Sequence, residues 1–332
     1  MIKYLLVIPS HSCDFVTMGG IRSLLQSDYG GKIVIVTPDT TARSSVDAIG
    51  GNGIDVIVTD RMYPPDGMIG RGITNKQKDL DDDTMILWMH NDIIYPSKWF
   101  YDMDNIIREL HNNIWCFTMP VYSLVPRGFD TQERCDASST IISMWNTHSY
   151  NDMLEIAKPI LPSYPKKFYR EILVFGAPFF SGSCFKYSVY KEVLDRYGYN
   201  TYFLSEYLSI LIGVERREWH ILGNISPFIH VSSWDTISYN LFHMNNQGTT
   251  YPAYDMWFRL FGYNLSCFHQ KYCNYTIGIN EEKIVEAINN GNWHDIDYIF
   301  DDFKELLLVR DCNICPSKVS CGHVGYCNVS RK

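Results

Sequence analysis

The sequence contains no apolar run that approaches the roughly 20 residues needed to span a bilayer. The apolar run nearest the amino terminus, residues 5–9, has only five residues, and no small-residue cleavage site follows it. A secretory signal peptide requires a longer apolar segment, so we expect neither export nor membrane insertion. The lack of both signals predicts a soluble, cytoplasmic protein, in the host cell's cytoplasm if the source is viral.

The sequence also lacks an excess of positive charge. Its 332 residues carry 29 Lys and Arg against 37 Asp and Glu, a formal net charge of -8. This balance excludes an overall basic field that draws a protein onto nucleic acid or an anionic membrane, although a local basic groove is compatible with it. There is no internal repeat and no low-complexity tract, and hydrophobic residues at 46% provide for one large domain, or one and a half.

Cysteine is unevenly distributed along the chain. Six of the ten cysteines are scattered and, without an export signal, are expected to be free thiols. The other four lie in the last 21 residues with the spacing Cys-x2-Cys-x5-Cys-x5-Cys: Cys312, Cys315, Cys321 and Cys327. This spacing predicts a tetrahedral Zn²⁺ site, made by four cysteines or by three and His323. The alternatives are an iron–sulfur cluster, two disulfides or free thiols, and the mildly basic tail could also contact a nucleic-acid backbone.

The amino-terminal part alternates aliphatic runs with helical patterns. Strand-like runs at residues 3–9, 31–39 and 53–60 are separated by segments with helical spacing, and this βαβαβ order predicts a parallel sheet covered by helices. Asp39, Asp60 and Asp92 each follow a strand-like run. Ligands bind beyond the carboxyl ends of such strands, so these carboxylates belong to the predicted binding edge. In contrast, residues 127–152 show no clear period and are expected to be irregular.

One strand-like run ends in an unusual polar triplet. In ILWMHNDIIYPSKWF, residues 86–100, the apolar run stops at His90-Asn91-Asp92, and a second apolar pair follows. Asn and Asp are common where a strand passes into a turn, so the triplet alone is compatible with a polar cap. It is equally the arrangement that presents a carboxylate at a rigid strand tip, where a metal ion could bind.

Several segments, in order, resemble the GT-A glycosyltransferases, in particular the inverting family two. They are VIPSHS, VIVTPDT, GRGITNKQKDL, ILWMHNDIIYPSKWF, FGAPFFSGSCFKYSVYKEVLDRYGY, LSEYLSI and FIHVSS, and together they cover residues 3–235. The resemblance implies an α/β, GT-A-like fold with a mixed central sheet flanked by helices. We therefore expect a catalytic domain over residues 1–238, an α-rich extension over 239–309 and the Cys-rich tail over 310–332.

The resemblance also implies an activity, the metal-dependent transfer of a sugar from a nucleotide sugar, a UDP sugar, to an acceptor hydroxyl. A nucleoside diphosphate leaves readily only when its developing charge is neutralised, which Mn²⁺ or Mg²⁺ can do. By resemblance, Asp92 and His230 would hold the ion, and the imidazole would favour Mn²⁺. The sequence departs from the family at His90, where Asp or Asn is usual. Glu206, in LSEYLSI, would be the general base, with a solvated helix residue as the alternative.

The donor would be bound at the same edge of the sheet. The residues that the resemblance assigns to it are Pro9, Ser10, His11, Asp39, Arg71, Lys76, Asn91 and Gly182. Asp39 would meet the uracil or ribose, Arg71 and Lys76 the pyrophosphate, and Asn91 a phosphate or the ribose. A Pro-Asp turn, solvated helix residues and a simple glycine turn are the structural alternatives for Asp39, for Arg71 with Lys76, and for Gly182.

The acceptor and the reaction class have alternatives. The acceptor could be a glycan or lipid-linked sugar, or a hydroxymethylated base in DNA as in phage-type DNA glycosyltransferases. Nucleotidyl transfer would require a Gly-rich GxGTR-like loop after the first strand, which VIPSHSCDFVTMGG lacks. A non-catalytic nucleotide-binding or glycan-binding module would bind the ligand without turnover.

Overall fold

The computed structural model of the protein describes residues 2–61, 65–124, 131–145, 147–160, 169–170, 182–198, 205–223, 225–231, 257, 259–261 and 281–308. The strands are β1 (Tyr4–Pro9), β2 (Lys32–Thr37), β3 (Asp55–Val58), β4 (Met85–Trp88), β5 (Ile93–Ile94), β6 (Ile114–Thr118), β7 (Val121–Ser123), β8 (Tyr169–Arg170), β9 (Ser183–Lys186), β10 (Trp219–Leu222) and β11 (Phe228–His230). The helices are α1 (Phe15–Leu25), α2 (Ala42–Ala48), α3 (Pro65–Lys76), α4 (Trp99–Leu110), α5 (Thr131–Met144), α6 (Tyr150–Ala157), α7 (Tyr187–Tyr197), α8 (Ser205–Glu215), α9 (Glu281–Asn289) and α10 (Tyr298–Leu308). Short 3-10 helices span Gln77–Asp79, Lys158–Ile160 and Trp293–Ile296.

Eight of these strands form the central sheet, in the order β3-β2-β1-β4-β9-β6-β10-β8. The first four run parallel to one another, β9 is antiparallel to both of its neighbours, and β10 is parallel to β6. A second sheet has the order β5-β11-β7, with β11 antiparallel to β5 and parallel to β7. The predicted α/β fold with a mixed central sheet flanked by helices is confirmed.

The central strands consist almost entirely of buried apolar residues. All six residues of β1, all four of β4 and all five of β6 are buried. A strand covered on both faces places every side chain in the core, so its sequence is continuously apolar instead of alternating. The polar residues that follow β1, β2 and β4 therefore mark the carboxyl edge of the sheet, where the chain leaves the core.

Helix α4 shows how the sequence pattern determines the packing. Trp99, Met103, Ile107 and Leu110 follow one another at intervals of three or four residues and are all buried, as an amphipathic helix requires. The indole Nε1 of Trp99 donates to Oγ of Ser27 over 3.1 Å, so the polar atom of this buried ring is satisfied.

The prediction that residues 127–152 are irregular is wrong for the part that the structure describes. Helices α5 and α6 lie there, and α6 begins with a capping box in which Ser149 and Asp152 bond each other's backbone. The two helices pack against the second sheet and form a smaller core with it, of Ile94, Tyr122, Leu124, Ala137, Ile141, Trp145, Met153, Ala157, Ile229 and Val231. The weak period of α5 is explained by its Ser, Thr and Cys residues, which leave a narrow apolar stripe.

The carboxyl-terminal helices α9 and α10 share the main core. The ring of Phe300 on α10 lies 4.2 Å, centroid to centroid, from that of Trp219 on β10, and Ile284 and Ile299 belong to the same buried cluster. The expected domain boundary at residue 238 and the Cys-rich tail fall outside the described residues. Among the helices in the described ranges, none is long and apolar enough to cross a membrane.

Buried His220 on β10 is expected to make stability depend on pH. Its Nε2 lies 2.6 Å from Oγ1 of Thr118, and burial lowers the pKa of His220 from 6.5 to about 3. Between these values the unfolded chain binds a proton that the folded protein rejects, so the free energy of unfolding falls as pH drops from 6.5 toward 3. Above pH 6.5 this contribution is fully present. In urea unfolding across this range, the free energy of unfolding should depend less steeply on pH for His220→Asn than for the unaltered protein. The exposed His294→Asn should retain the original dependence. Equal dependence in all three proteins would contradict the prediction.

Candidate functional site

The candidate site lies where the two sheets meet. Residues 89–92 connect β4 of the central sheet to β5 of the second sheet. Strand β11 pairs with β5 so that His230 is opposite Ile93, and the amide of Val231 donates to the carbonyl of Asp92 over 3.0 Å. This pairing brings His230 beside His90, which is 140 residues away in sequence, and beside Asp92.

Three side chains converge there, and we call them the His-Asp-His cluster: His90, Asp92 and His230. Nε2 of His230 lies 3.0 Å from Oδ1 of Asp92 and 3.4 Å from Nδ1 of His90, and the latter atom lies 3.8 Å from the Asp92 oxygen. The side chains of His90 and Asp92 are 28% and 21% exposed, so the cluster lies close to the protein surface. His230 is almost fully buried at 9%.

The spacing of the three atoms suits one divalent cation. Two ligand atoms that bind an ion at about 2.1 Å lie about 3.0 Å apart at a right angle and about 3.4 Å apart at the tetrahedral angle. Two of the observed separations, 3.0 and 3.4 Å, equal these values. The third, 3.8 Å, needs only a small movement of a side chain. In addition, Oδ1 of Asp92 is buried without a hydrogen bond of suitable geometry in the described part of the chain. The residues therefore fit a metal ion.

The electrostatics of the cluster favour the deprotonated forms of His90 and Asp92. Burial lowers the pKa of His90 to about 4, and the nearby His230 adds to this effect against the opposing influence of Asp92. Burial alone would raise the pKa of Asp92, but His230 and His90 outweigh it and the net pKa is below 3.8. A neutral imidazole and an ionised carboxylate are the forms that bind metals.

Asn91, between the two ligands in sequence, is engaged by the loop that follows β1. Its Nδ2 donates to Oγ of Ser10 over 3.1 Å and to Oγ1 of Thr17 over 2.7 Å. Both hydroxyls also donate to the carbonyl of Ser12, over 2.6 and 2.9 Å. Asn91 therefore fastens the β1–α1 loop to the strand tip, and its amide hydrogens are committed to the protein rather than directed toward a phosphate or ribose.

Asp39, after β2, holds the same loop from the other side. Its Oδ2 accepts from the amide of Cys13 over 2.9 Å, and its Oδ1 accepts from the amide and the hydroxyl of Thr41 over 2.8 and 2.7 Å. The amide of Cys13 is the main reason why the pKa of Asp39 lies below its usual value. Asp39 therefore forms the Pro-Asp turn that is the structural alternative for this residue, and it also contacts the β1–α1 loop through Cys13.

Pro9, Ser10, His11 and Gly182 all lie at the carboxyl edge of the sheet, because β9 is antiparallel to β4 and Ser183 pairs with Trp88. Pro9 ends β1, and Ser10 and His11 follow it, with Nδ1 of His11 buried and lacking a hydrogen-bond partner among the described residues. Gly182 precedes β9, with a φ of 152° and its carbonyl bonded to the amide of Met119 over 2.8 Å. This φ explains why glycine stands at this position.

The basic residues of α3 lie at different distances from this edge. Arg71 is in the middle of the helix and donates to the carbonyl of Gly67 over 3.3 Å. Lys76, the last residue of α3, forms an ion pair of 2.6 Å with Asp55, the first residue of β3. Because β3 runs parallel to β1, that ion pair lies at the amino-terminal edge, away from the cluster. The structure therefore does not bring Lys76 together with the other donor-side residues.

The expected base and the cysteine ligands are outside what the structure describes in detail. Glu206 is the second residue of α8, and its side chain lies outside the described residues. Cys312, Cys315, Cys321 and Cys327 also fall outside them, so the zinc site remains a prediction.

Sequence reasoning missed two members of the site. His90 was treated as a departure that leaves a single carboxylate, although an imidazole two positions from Asp92 is itself a common metal ligand. Ser123 on β7 contacts Nδ1 of His230 over 3.3 Å and had no signal at all, because a serine in a three-residue strand is indistinguishable from many others.

No protein-family model matches the chain, and no protein of established function matches it in sequence. Among solved structures the chain is similar to S. aureus TarS, a glycosyltransferase, with 11% identity and a TM-score of 0.43 over 70% of this chain. The chain spans 37% of that TarS chain. It is also similar to the TarS 1-349 structure, with 10% identity and a TM-score of 0.43 over 92% of each chain. Similarity at this level carries no argument about the site.

Proposed function

We propose that the protein is a metal-dependent glycosyltransferase that uses a nucleoside-diphosphate sugar, a UDP sugar. The observation that carries the proposal is the His-Asp-His cluster at the carboxyl edge of parallel strands, with ligand atoms 3.0–3.8 Å apart. In open α/β sheets, ligands bind at this edge. A cation held there would neutralise the charge that develops on a departing diphosphate.

The ligand set favours Mn²⁺ over Mg²⁺. Magnesium prefers oxygen ligands in a strict octahedron, whereas imidazole nitrogen suits the later divalent metals. Two of the three candidate ligands, His90 and His230, are imidazoles. Asp92 would supply the negative charge that makes binding strong.

The β1–α1 loop would form the wall against which the nucleoside lies. Asn91 and Asp39 fasten this loop from β4 and β2, so its conformation is fixed before the donor arrives. Nδ1 of His11 is a buried polar atom that a base or ribose hydroxyl could satisfy. Arg71, in the middle of α3 and more than one turn nearer its amino terminus than Lys76, is the basic residue of this segment that could approach the pyrophosphate.

Glu206, near the start of α8, is the proposed base. Its carboxylate would take the proton from the acceptor hydroxyl as the new bond to the anomeric carbon forms and the bond to the diphosphate breaks. This arrangement gives inversion at that carbon. Replacement by glutamine keeps the shape of the side chain and removes its basicity.

The expected result with a panel of UDP sugars is release of UDP that requires Mn²⁺, is weaker with Mg²⁺ and stops on addition of a chelator. Release should rise when the correct acceptor is present, because acceptor hydroxyls attack better than water in a site that orients them. The measurement is UDP formation, with binding of UDP followed in parallel by thermal shift, since a ligand specific for the folded state raises the melting temperature.

The acceptor classes are separated in the same assay. Duplex DNA with hydroxymethylcytosine and a set of glycan acceptors are added in separate reactions, and the product is identified by mass. Mn²⁺-dependent binding of UDP with no release from any UDP sugar would favour a non-catalytic module. A protein that neither binds UDP with Mn²⁺ nor releases it would contradict the proposed function.

A further inference from the structure

His230 makes contacts through both ring nitrogens. Its Nε2 faces the other two members of the His-Asp-His cluster, and its Nδ1 lies 3.3 Å from Oγ of Ser123. Ser123 is directly opposite His230 in the parallel pairing of β7 with β11. The pairing of β7 with β11 therefore places these two side chains next to each other.

The backbone around Ser123 is held on both sides. Nη1 of Arg134, on α5, donates to the carbonyl of Ser123 over 2.7 Å. The next amide, that of Leu124, donates to the carbonyl of His230 over 2.9 Å. Because these two bonds fix β7 against both α5 and β11, the hydroxyl of Ser123 has a defined position beside the imidazole.

A neutral imidazole carries one N–H, and its location determines what the other nitrogen can do. If Nδ1 carries the hydrogen, it donates to Ser123 and leaves a lone pair on Nε2, directed at Asp92 and His90. Nε2 and Oδ1 of Asp92 are then two acceptors only 3.0 Å apart, an arrangement that a shared cation stabilises. If Nε2 carries the hydrogen, the same contact is a histidine–aspartate hydrogen bond and no cation is needed.

The 3.3 Å contact between Nδ1 of His230 and Oγ of Ser123 favours the first arrangement, because the serine oxygen can accept the Nδ1–H. Metal-binding histidines usually donate the second ring N–H to a fixed acceptor, which sets both the tautomer and the orientation of the ring. We propose that Ser123 is the positioning residue that holds His230 as its Nδ1–H tautomer and so presents Nε2 to a divalent cation. This inference deepens the proposed function and rests on it for the identity of the cation.

The first test measures Mn²⁺ binding to the full chain without nucleotide, by the loss of the electron paramagnetic resonance signal of free Mn²⁺. Ser123→Ala is expected to weaken binding about 10- to 100-fold, as removal of such outer partners typically does. Ser123→Thr keeps the hydroxyl and should restore most of the affinity. Ser143→Ala, which removes an exposed hydroxyl bonded to the carbonyl of Thr140, is the matched control and should bind Mn²⁺ like the unaltered protein.

The second measurement is the ¹⁵N spectrum of His230 in the metal-free protein, in which the two tautomers and the imidazolium give different patterns. We expect the Nδ1–H pattern in the unaltered protein and in Ser123→Thr, and its loss in Ser123→Ala. An Nε2–H or imidazolium pattern in the unaltered protein overturns the inference, as does equal Mn²⁺ affinity of the unaltered protein and Ser123→Ala. An Nδ1–H pattern in a protein that binds no Mn²⁺ upholds the tautomer assignment and overturns the proposed function.

Discussion

Replacing Asp92 with asparagine is expected to abolish Mn²⁺-dependent turnover, with a loss of about a thousandfold or more. Asp92 is the carboxylate of the His-Asp-His cluster, and the substitution removes its charge while retaining its size. The asparagine amide carries no charge, so the ion loses its electrostatic attraction to the carboxylate. Metal stabilisation of a leaving diphosphate is worth several kcal/mol, which corresponds to the expected loss.

The measurement is UDP release as a function of Mn²⁺ concentration for both proteins. A loss that persists at saturating Mn²⁺ would mean that the carboxylate acts on the reaction as well as on binding. Asp102→Asn on α4 is the matched control, because it removes the same charge from an exposed helix position that is not part of the cluster. Unaltered turnover in Asp92→Asn would exclude the metal-dependent mechanism proposed for this site.

The substitution Gly20→Ala, which adds one methyl group on α1, is expected to disturb the candidate site from the side of that helix. An ideal Cβ there would lie 2.6 Å from the carbonyl oxygen of Asn91 and 3.0 Å from that of Ile93. Both are backbone atoms, so relief requires movement of the helix or of the strand tip. Alanine improves helix propensity by about 1 kcal/mol, but overpacking costs about 1–3 kcal/mol. We therefore expect Gly20→Ala to be destabilised by about 1 kcal/mol and to bind Mn²⁺ about tenfold more weakly.

Denaturant unfolding and Mn²⁺ titration test this prediction together. The weaker binding is expected because His90 and Asp92 flank the residue that must move. Gly30→Ala is the matched control, since an added Cβ there meets no atom within 4 Å and the residue does not have a positive φ. If Gly20→Ala retained both the stability and the Mn²⁺ affinity of the unaltered protein, the close approach of α1 to the strand tip would have no bearing on the site.

The parts of the fold that follow from local sequence were predictable. The continuous apolar runs of β1, β2 and β4 reveal buried parallel strands, and the polar residues after them mark the binding edge. Asp92 was identified on this basis, and His230 by its place in a late strand. What local sequence cannot reveal is pairing between short segments. Strands β5, β7 and β11 have two or three residues each, and only their pairing shows that His90 belongs with His230.

Lys76 is a residue for which local sequence suggested a contact at the wrong edge of the sheet. Its position in a Gly-rich segment suggested a phosphate contact, but a 12-residue helix is about 18 Å long. Its last residue is therefore carried to the edge opposite the one where the helix begins, and there it pairs with Asp55. Arg71, five residues earlier in the sequence, is separated from Lys76 by more than one helical turn.

The second sheet has a consequence for the order in which the protein matures. Its three strands come from the regions around residues 93, 122 and 229, so the His-Asp-His cluster is incomplete until the last of them has been synthesised. At about 5–20 residues per second, the 140 residues between His90 and His230 take the ribosome roughly 7–28 s. During that interval the nascent chain carries two of the three proposed ligands without the scaffold that orients them, so capture of the proposed ion would belong to a late stage of biogenesis.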